Sequence, residues 1–512
     1  MLFNSFEFLF AFLPATLAGF YLLARVGRRA ASGWLALASV VFYGYWDPRY
    51  TWLLLASVAA NFWCGRQLAS VEAPARRRRL LAAGVAGNLL ALALFKYADF
   101  AVGTANAVLG TAWPQPGIVL PLGISFFTFT QIAFLVDASR GLAREYRPTH
   151  YLLFVTWFPH LIAGPVLHHR QLMPQFDRPD VYRWRAERGR RGLALFTIGL
   201  AKKVLIADAL APAVGPAFDA AARGEPLGIA AAWAGALAYT FQLYFDFSGY
   251  SDMAIGLSWL FGVDLPANFN SPYKAANVAE FWRRWHMTLS AFLRDYLYVP
   301  LGGNRRGPAR RYLNLIITMV LGGLWHGANW TFVIWGALHG VYIILNHWIE
   351  PRWTQLGDSG FAKRFSSLHN GLSLLSTFGL VCFAWIFFRA STLPDALYIV
   401  THLFSGWSGF VRQTSSLAQE VIHSGFWVFV NGLFASLNDL TELTRSEITL
   451  SALALILLLY IETKQHRGDF LAQFNLKQPA IRYIGYSLLI VIILALGTLY
   501  TGVEQAFIYF QF

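Results

Sequence analysis

Apolar stretches approaching twenty residues recur along this chain and leave almost no room for a soluble domain. That is about the length a helix needs to cross ~30 Å of hydrocarbon. Candidate spans run near 8–25, 33–47, 51–65, 80–96, 117–137, 193–213, 228–247, 312–323, 328–348, 371–388, 448–462 and 482–502. In lipid every backbone polar group must be satisfied within the chain, so a pattern of this kind demands helices and excludes an open sheet. Charged residues fill only 13% of the 512 positions and mean hydropathy is +0.45, against about 25% charged in soluble domains. The expectation is an all-α polytopic membrane protein, with about 11–12 transmembrane helices plus re-entrant or amphipathic helices.

The net charge of +14 sits in loops. Arg76 to Arg79 head one loop, Arg183, Arg185, Arg188, Arg190 and Arg191 crowd another, and a third runs from Lys274 through Arg283, Arg284, Arg294, Arg305, Arg306, Arg310 and Arg311. Positive residues mark cytoplasmic loops, and alternating the spans from there puts the N-terminus outside and Arg28-Arg29 and Lys363-Arg364 inside. The segment near 405–447, with Glu420, Asp439, Glu442 and Glu447, then falls outside as an extracytoplasmic hairpin or helix pair. Basic residues bunched this way orient a membrane protein and do not build a nucleic-acid groove. Glu7 precedes the first span where a signal peptide carries basic residues, so that span reads as retained. The apolar run Thr156–Pro165 is broken by Pro159 and Pro165 and reads as re-entrant or interfacial. Cys64 and Cys382 lie in apolar segments and read as buried thiols.

An ionisable group in a span is costly and is a functional candidate by default. Between Asn277 and Val299, residues Trp282, Trp285, His286, Leu289, Leu293 and Tyr296 recur at spacings of three and four, which predicts one amphipathic helix with His286 turned inward. A packed histidine bonded to a carbonyl is the alternative. His326 lies fifteen residues beyond Arg311, about 22 Å along a helix, where Gly322, Gly323 and Gly327 predict an interruption opening onto a cavity. Imidazole suits proton abstraction from a hydroxyl near neutral pH. No third histidine or carboxylate stands at zinc-like spacing around either, so no metal is expected. Asp246 ends a span and is open to three roles: a helix cap, a partner for an arginine, or a lining residue. Gln131, Asp137, Asn268 and Asn270 read as helix-to-helix bonds, His168-His169 as a polar surface feature, and Arg389 as a mark of the outer interface.

Several stretches together resemble the membrane-bound O-acyltransferase superfamily, and within it the alginate O-acetyltransferase branch. They are Met1–Ser5, Pro121–Phe127, Tyr244–Asp252, Asn268–Tyr273, Phe281–His286, Arg294–Tyr296, Pro300–Gly303 and Leu324–Gly327. The resemblance implies a ring of helices around a central tunnel, with residues 1–390 as the acyltransferase core and 391–512 as C-terminal helices of the same membrane domain. It implies His326 as the catalytic histidine and His286 as a second essential or supporting residue, with Asp246, Trp282, Trp285, Trp325, Asn329 and Asn270 as lining candidates. Acetyl-CoA is then the donor substrate from the cytoplasm, its phosphates on cytoplasmic Arg or Lys side chains, and no permanently bound cofactor is implied. A periplasmic accessory acetyltransferase or polysaccharide acceptor approaches from outside, and the chain sits in a bacterial inner membrane with a periplasmic N-terminus. A teichoic-acid-type enzyme drawing on a carrier-protein donor, a transporter whose histidines relay protons, and a scaffold for a soluble acetyltransferase are the competing readings.

Overall fold

The computed structural model describes residues 1–143, 147–358 and 366–407, with scattered positions after 447, and contains no strand among them. The chain is an all-α polytopic membrane protein. Its helices are α1 (Leu13–Val26), α2 (Arg28–Gly44), α3 (Pro48–Ser70), α4 (Pro74–Leu92), α5 (Ala98–Leu109), α6 (Ile124–Ser139), α7 (Pro148–Thr156) and the single turn α8 (His169–Leu172). They continue with α9 (Ala186–Ala201), α10 (Asp208–Arg223), α11 (Ile229–Leu260), α12 (Val278–Arg284), α13 (Met287–Leu293), α14 (Gly307–His326), α15 (Trp330–Asp358), α16 (Ser366–Arg389) and α17 (Leu393–His402). Among the described residues, four helical stretches are long and apolar enough to cross a membrane: Phe8–Val26, Pro74–Leu109, Trp330–Gln355 and Ser367–Arg389. The spans expected near 448–462 and 482–502, and most of the outer segment 405–447, lie outside the described residues.

Helix ends follow local chemistry. Proline opens α3, α4 and α7, where its missing N–H costs nothing, and the Asp47 carboxylate accepts from Arg49 N at 2.9 Å to cap α3. Gly110 and Gly224 end α5 and α10 in the left-handed conformation, at φ 66° and 65°. The expected span 193–213 is two helices joined by a π-helical turn, Lys202–Ala207, a wider winding that rotates side chains off the regular helical face. Thr156–Pro165 is indeed irregular beyond Thr156 and fully buried in protein, as backbone without helical bonds must be in a membrane.

Residues group into two compact units that alternate along the chain. The first holds 1–200, 249–268 and 506–512. There α3 and α4 are tied by an amide pair, Asn61 donating to Asn88 at 3.2 Å and Asn88 returning at 2.6 Å, and Gln131 of α6 donates to Ser57 Oγ of α3 at 2.9 Å. These are the helix-to-helix bonds expected of polar residues in lipid. Asn268, in the non-helical chain after α11, donates to Ser251 Oγ of that helix at 3.1 Å, a loop-to-helix bond where a helix-to-helix one was expected. His168 and His169 correct the sequence reading: both are buried, with His169 between Asp137 Oδ2 at 3.2 Å and the Leu142 carbonyl at 3.0 Å. The basic loop around them folds inward because the Asp137 carboxylate on α6 needs a partner away from water.

The second unit holds 201–248 and 269–505. Its dominant contact is the α14–α15 hairpin, where glycines let two backbones meet. A Cβ on Gly323 would stand 2.2 Å from the Phe332 carbonyl oxygen, and one on Gly336 2.3 Å from that of Met319. Small residues at i and i+4 on α15, Gly336 and Gly340, face α14 in the manner that drives helix association in lipid. Cys382 accepts from Thr240 Oγ1 at 3.2 Å and is a buried free thiol, as is Cys64 of the first unit.

Candidate active site

The histidine cluster lies in the second unit and starts where α14 stops. His326 is the last residue of that helix, released by Gly327, whose extended backbone ends the winding. A Cβ at Gly327 would come within 2.0 Å of the Phe332 ring, so this exit needs a residue without one. Gly322 and Gly323, expected as part of the break, stay inside α14 and serve its packing instead. The His326 imidazole is 4% exposed and packs edge-on against Trp335 of α15 at 5.1 Å between ring centres, with Phe388 of α16 at 5.2 Å and Trp325 at 4.9 Å.

His286 arrives from the other side by an unexpected route. The single amphipathic helix predicted over 277–299 is two short helices, α12 and α13, hinged at Trp285 and His286. His286 has φ 42° and ψ 52°, a left-handed conformation that costs a non-glycine residue roughly 1–2 kcal/mol. Periodicity misled because the residues on both sides keep helical spacing while one backbone unit reverses. The reversal buries the imidazole fully, edge-on to Phe247 at 4.7 Å. His286 and His326 stand 6.5 Å apart between ring centres, near enough for one reacting group to touch both.

The tryptophans named from sequence converge here too. Trp285 is 1% exposed and packs against Trp385 at 5.0 Å, and Trp325 lies 6.2 Å from His286. Trp282 is half-buried and donates from Nε1 to Nδ1 of His339, 3.3 Å away. His339 is the residue sequence reasoning missed. It is fully buried, lies 4.9 Å from Trp335 one turn along α15, and stacks on Phe281 at 6.1 Å. The signal was present: an ionisable side chain in the middle of the span 328–348.

Three further lining candidates have contacts within the protein. Asn270 is exposed and pairs through its backbone with Arg284. Asn329 starts α15, its Oδ1 accepting from Thr331 N at 3.1 Å and its Nδ2 donating to the Ser391 carbonyl at 2.7 Å. The Asp246 carboxylate is buried against Lys203 Nζ at 2.8 Å, and the same ammonium holds Asp208 at 2.7 Å. The partner is thus a lysine turned inward by the π-helical turn. Arg389 lies over the Phe218 ring at 5.3 Å.

In the first unit, the arginine loop frames a surface cleft of about 450 Å³ lined by Arg178, Arg185, Arg188, Arg191, Trp259 and three acidic side chains. Its charges are largely spent on one another, Arg178 on Asp180 at 2.8 Å and Arg188 on Asp264. The Arg178 guanidinium holds the Asp180 carboxyl down at about 2. Among the described residues no three His, Cys, Asp or Glu side chains are grouped to hold a metal.

Known proteins sort the chemistry further. Residues 118–378 match the model of the MBOAT, membrane-bound O-acyltransferase, family. The chain is 40% identical to a peptidoglycan O-acetyltransferase of Helicobacter pylori over 78% of its own length and 79% of the relative's. It is 42% identical to the probable alginate O-acetylase AlgI of Pseudomonas aeruginosa, covering 79% of this chain and 75% of that one. Similarity also extends to a teichoic acid D-alanyltransferase of Bacillus subtilis, 28% identical over 54% of this chain and 70% of the relative.

Proposed function

This chain belongs to the membrane-bound O-acyltransferase family, and from that premise we propose that it draws acetyl groups from cytoplasmic acetyl-CoA and passes them across the bacterial inner membrane for O-acetylation of an extracytoplasmic polysaccharide such as alginate. That it is an O-acyltransferase of the membrane follows from the family itself. The observation that supports the finer reading is the pair of imidazoles, His326 and His286, buried from two sequence-distant helix ends and 6.5 Å apart in one aromatic cluster.

In this reading His326 takes the proton of the acceptor hydroxyl as its oxygen attacks the thioester carbonyl carbon, then returns it to the departing sulfur. His286, held by its reversed backbone, orients the reacting group from the opposite side. The acetyl acceptor is a polysaccharide hydroxyl or an accessory protein reached from the periplasm, where the N-terminus also lies. Relatives named for alginate and for peptidoglycan share a polymeric glycan as acceptor class, which is why a polysaccharide is preferred.

Purified protein in detergent, given acetyl-CoA labelled in the acetyl group, should release CoA and label an added glycan. His326→Ala should lower both by about 10²–10⁴-fold. Unchanged CoA release and glycan labelling in that variant would overturn the reading in favour of transport or scaffolding. Consumption of an acyl carrier protein thioester in place of acetyl-CoA would overturn the donor.

A further inference from the structure

Beside His326 the protein buries a cluster of indole and imidazole rings. Trp335 and Trp385 stack at 5.5 Å between ring centres, His339 lies 4.9 Å from the first and 6.2 Å from the second, and His326 packs on Trp335 at 5.1 Å. All three of these rings, Trp335, Trp385 and His339, are at most 1% exposed. Among the described residues none accepts from Trp335 Nε1, Trp385 Nε1 or His339 Nε2.

The polarity at His339 is fixed by its neighbour. An indole nitrogen only donates, so Trp282 Nε1, 3.3 Å from His339 Nδ1, makes that ring nitrogen an acceptor and leaves the proton on Nε2. Three buried N–H groups therefore belong to rings of one cluster, and none has an acceptor among the described residues. A buried donor left without an acceptor is destabilising, and retaining three beside a candidate general base points to a ligand that brings the acceptor. A metal is not the ligand in question, since it needs lone pairs that the indole nitrogens do not offer.

We propose that His339, Trp335 and Trp385 form the binding site for the acyl carbonyl oxygen, the place where negative charge collects during transfer. The inference rests on the transfer reaction proposed above. As the acceptor hydroxyl oxygen bonds to the carbonyl carbon and its proton moves to His326, the C=O π pair shifts onto the carbonyl oxygen, which the three N–H groups hold. Collapse restores the double bond, breaks the C–S bond and sends the His326 proton to the sulfur. Donors aimed at developing charge in a water-poor site favour the transition state over the ground state.

Trp335→Phe, Trp385→Phe and His339→Phe each keep a ring and delete an N–H. Each should lower kcat by about 10²–10³-fold with KM for acetyl-CoA little changed, and His339→Gln, which keeps a donor, should recover part of the loss. A structural role would instead lower the melting temperature and raise KM as kcat falls. An independent arm uses unaltered protein: the carbonyl stretch of acetyl-CoA labelled with ¹³C at the carbonyl should move to lower frequency on binding, and an unshifted band overturns the assignment. If His326→Ala abolishes transfer while the three phenylalanine variants retain wild-type kcat, the carbonyl site falls and the acyltransferase reading stands. If wild-type protein consumes no thioester, the acetyl-CoA reading falls with it.

Discussion

Replacing Gly336 with alanine tests whether the α14–α15 crossing sets the distance between His326 and the aromatic cluster. The new methyl carbon would lie 2.3 Å from the Met319 carbonyl oxygen and 3.0 Å from Val320 Cα. Both are backbone atoms of α14, so no flexible side chain can yield. Reaching the 3.4 Å of ordinary contact requires the helices to part by about 1.1 Å. That displacement falls between Trp335 and His339 on one helix and seven residues before His326 on the other. A misplacement of about 1 Å at a reacting geometry costs roughly 10²-fold in rate, which is about 2.7 kcal/mol of barrier. Stability should change less, because overpacking costs about 1–3 kcal/mol while alanine returns about 1 kcal/mol of helix propensity. Gly379→Ala on α16 is the control, since a Cβ there meets nothing within 4 Å. Acetyl transfer and thermal unfolding in detergent should be measured on both variants. Equal transfer rates in Gly336→Ala, Gly379→Ala and wild type would refute the claim that backbone contact between these helices positions the site.

Two further outcomes follow from the ion pairs. Lys203→Met leaves the buried carboxylates of Asp208 and Asp246 without the ammonium that holds both, and should cost about 3–5 kcal/mol; a melting temperature equal to wild type would show that the triad contributes nothing. In the arginine loop, the Arg178 guanidinium depresses the Asp180 carboxyl from 3.8 to about 2. A group depressed on folding stabilises the fold fully above its unfolded value and loses that contribution as pH falls through its folded value. The loop should therefore hold its amide-exchange protection down to about pH 4 and lose it toward about pH 2, whereas Asp180→Asn should show the weaker protection at every pH; an identical acid profile in the two proteins would remove the pair as its cause.

Much of this architecture could be read from residue order, and the misses have a common physical origin. The spans near 8–25, 51–65, 228–247, 328–348 and 371–388 appear as helices because apolar length is sufficient evidence for a helix in lipid. His326 at a helix end was legible from the glycine after it. The hinge at His286 was not, since a single left-handed residue leaves side-chain spacing on either side intact and only coordinates reveal it. Lys203 and His339 were overlooked for a simpler reason: each sits inside an apolar stretch whose average conceals one ionisable side chain. Asp246 was weighed with arginines in view, although Lys202-Lys203 stood within a neighbouring span. The Asn329 amide is held by backbone groups at both ends, as buried amides more often are than by substrate.

The reversed peptide at position 286 complicates the obvious knockout. Alanine there removes the imidazole and the ring contacts that hold the bend, while keeping the left-handed cost that any residue with a Cβ carries, so a dead variant would report two losses at once. Glycine deletes the ring while leaving the main chain at ease, and asparagine tolerates the same angles with a polar group in place. Only the contrast between glycine and alanine at this locus separates what the ring does from what the bend does.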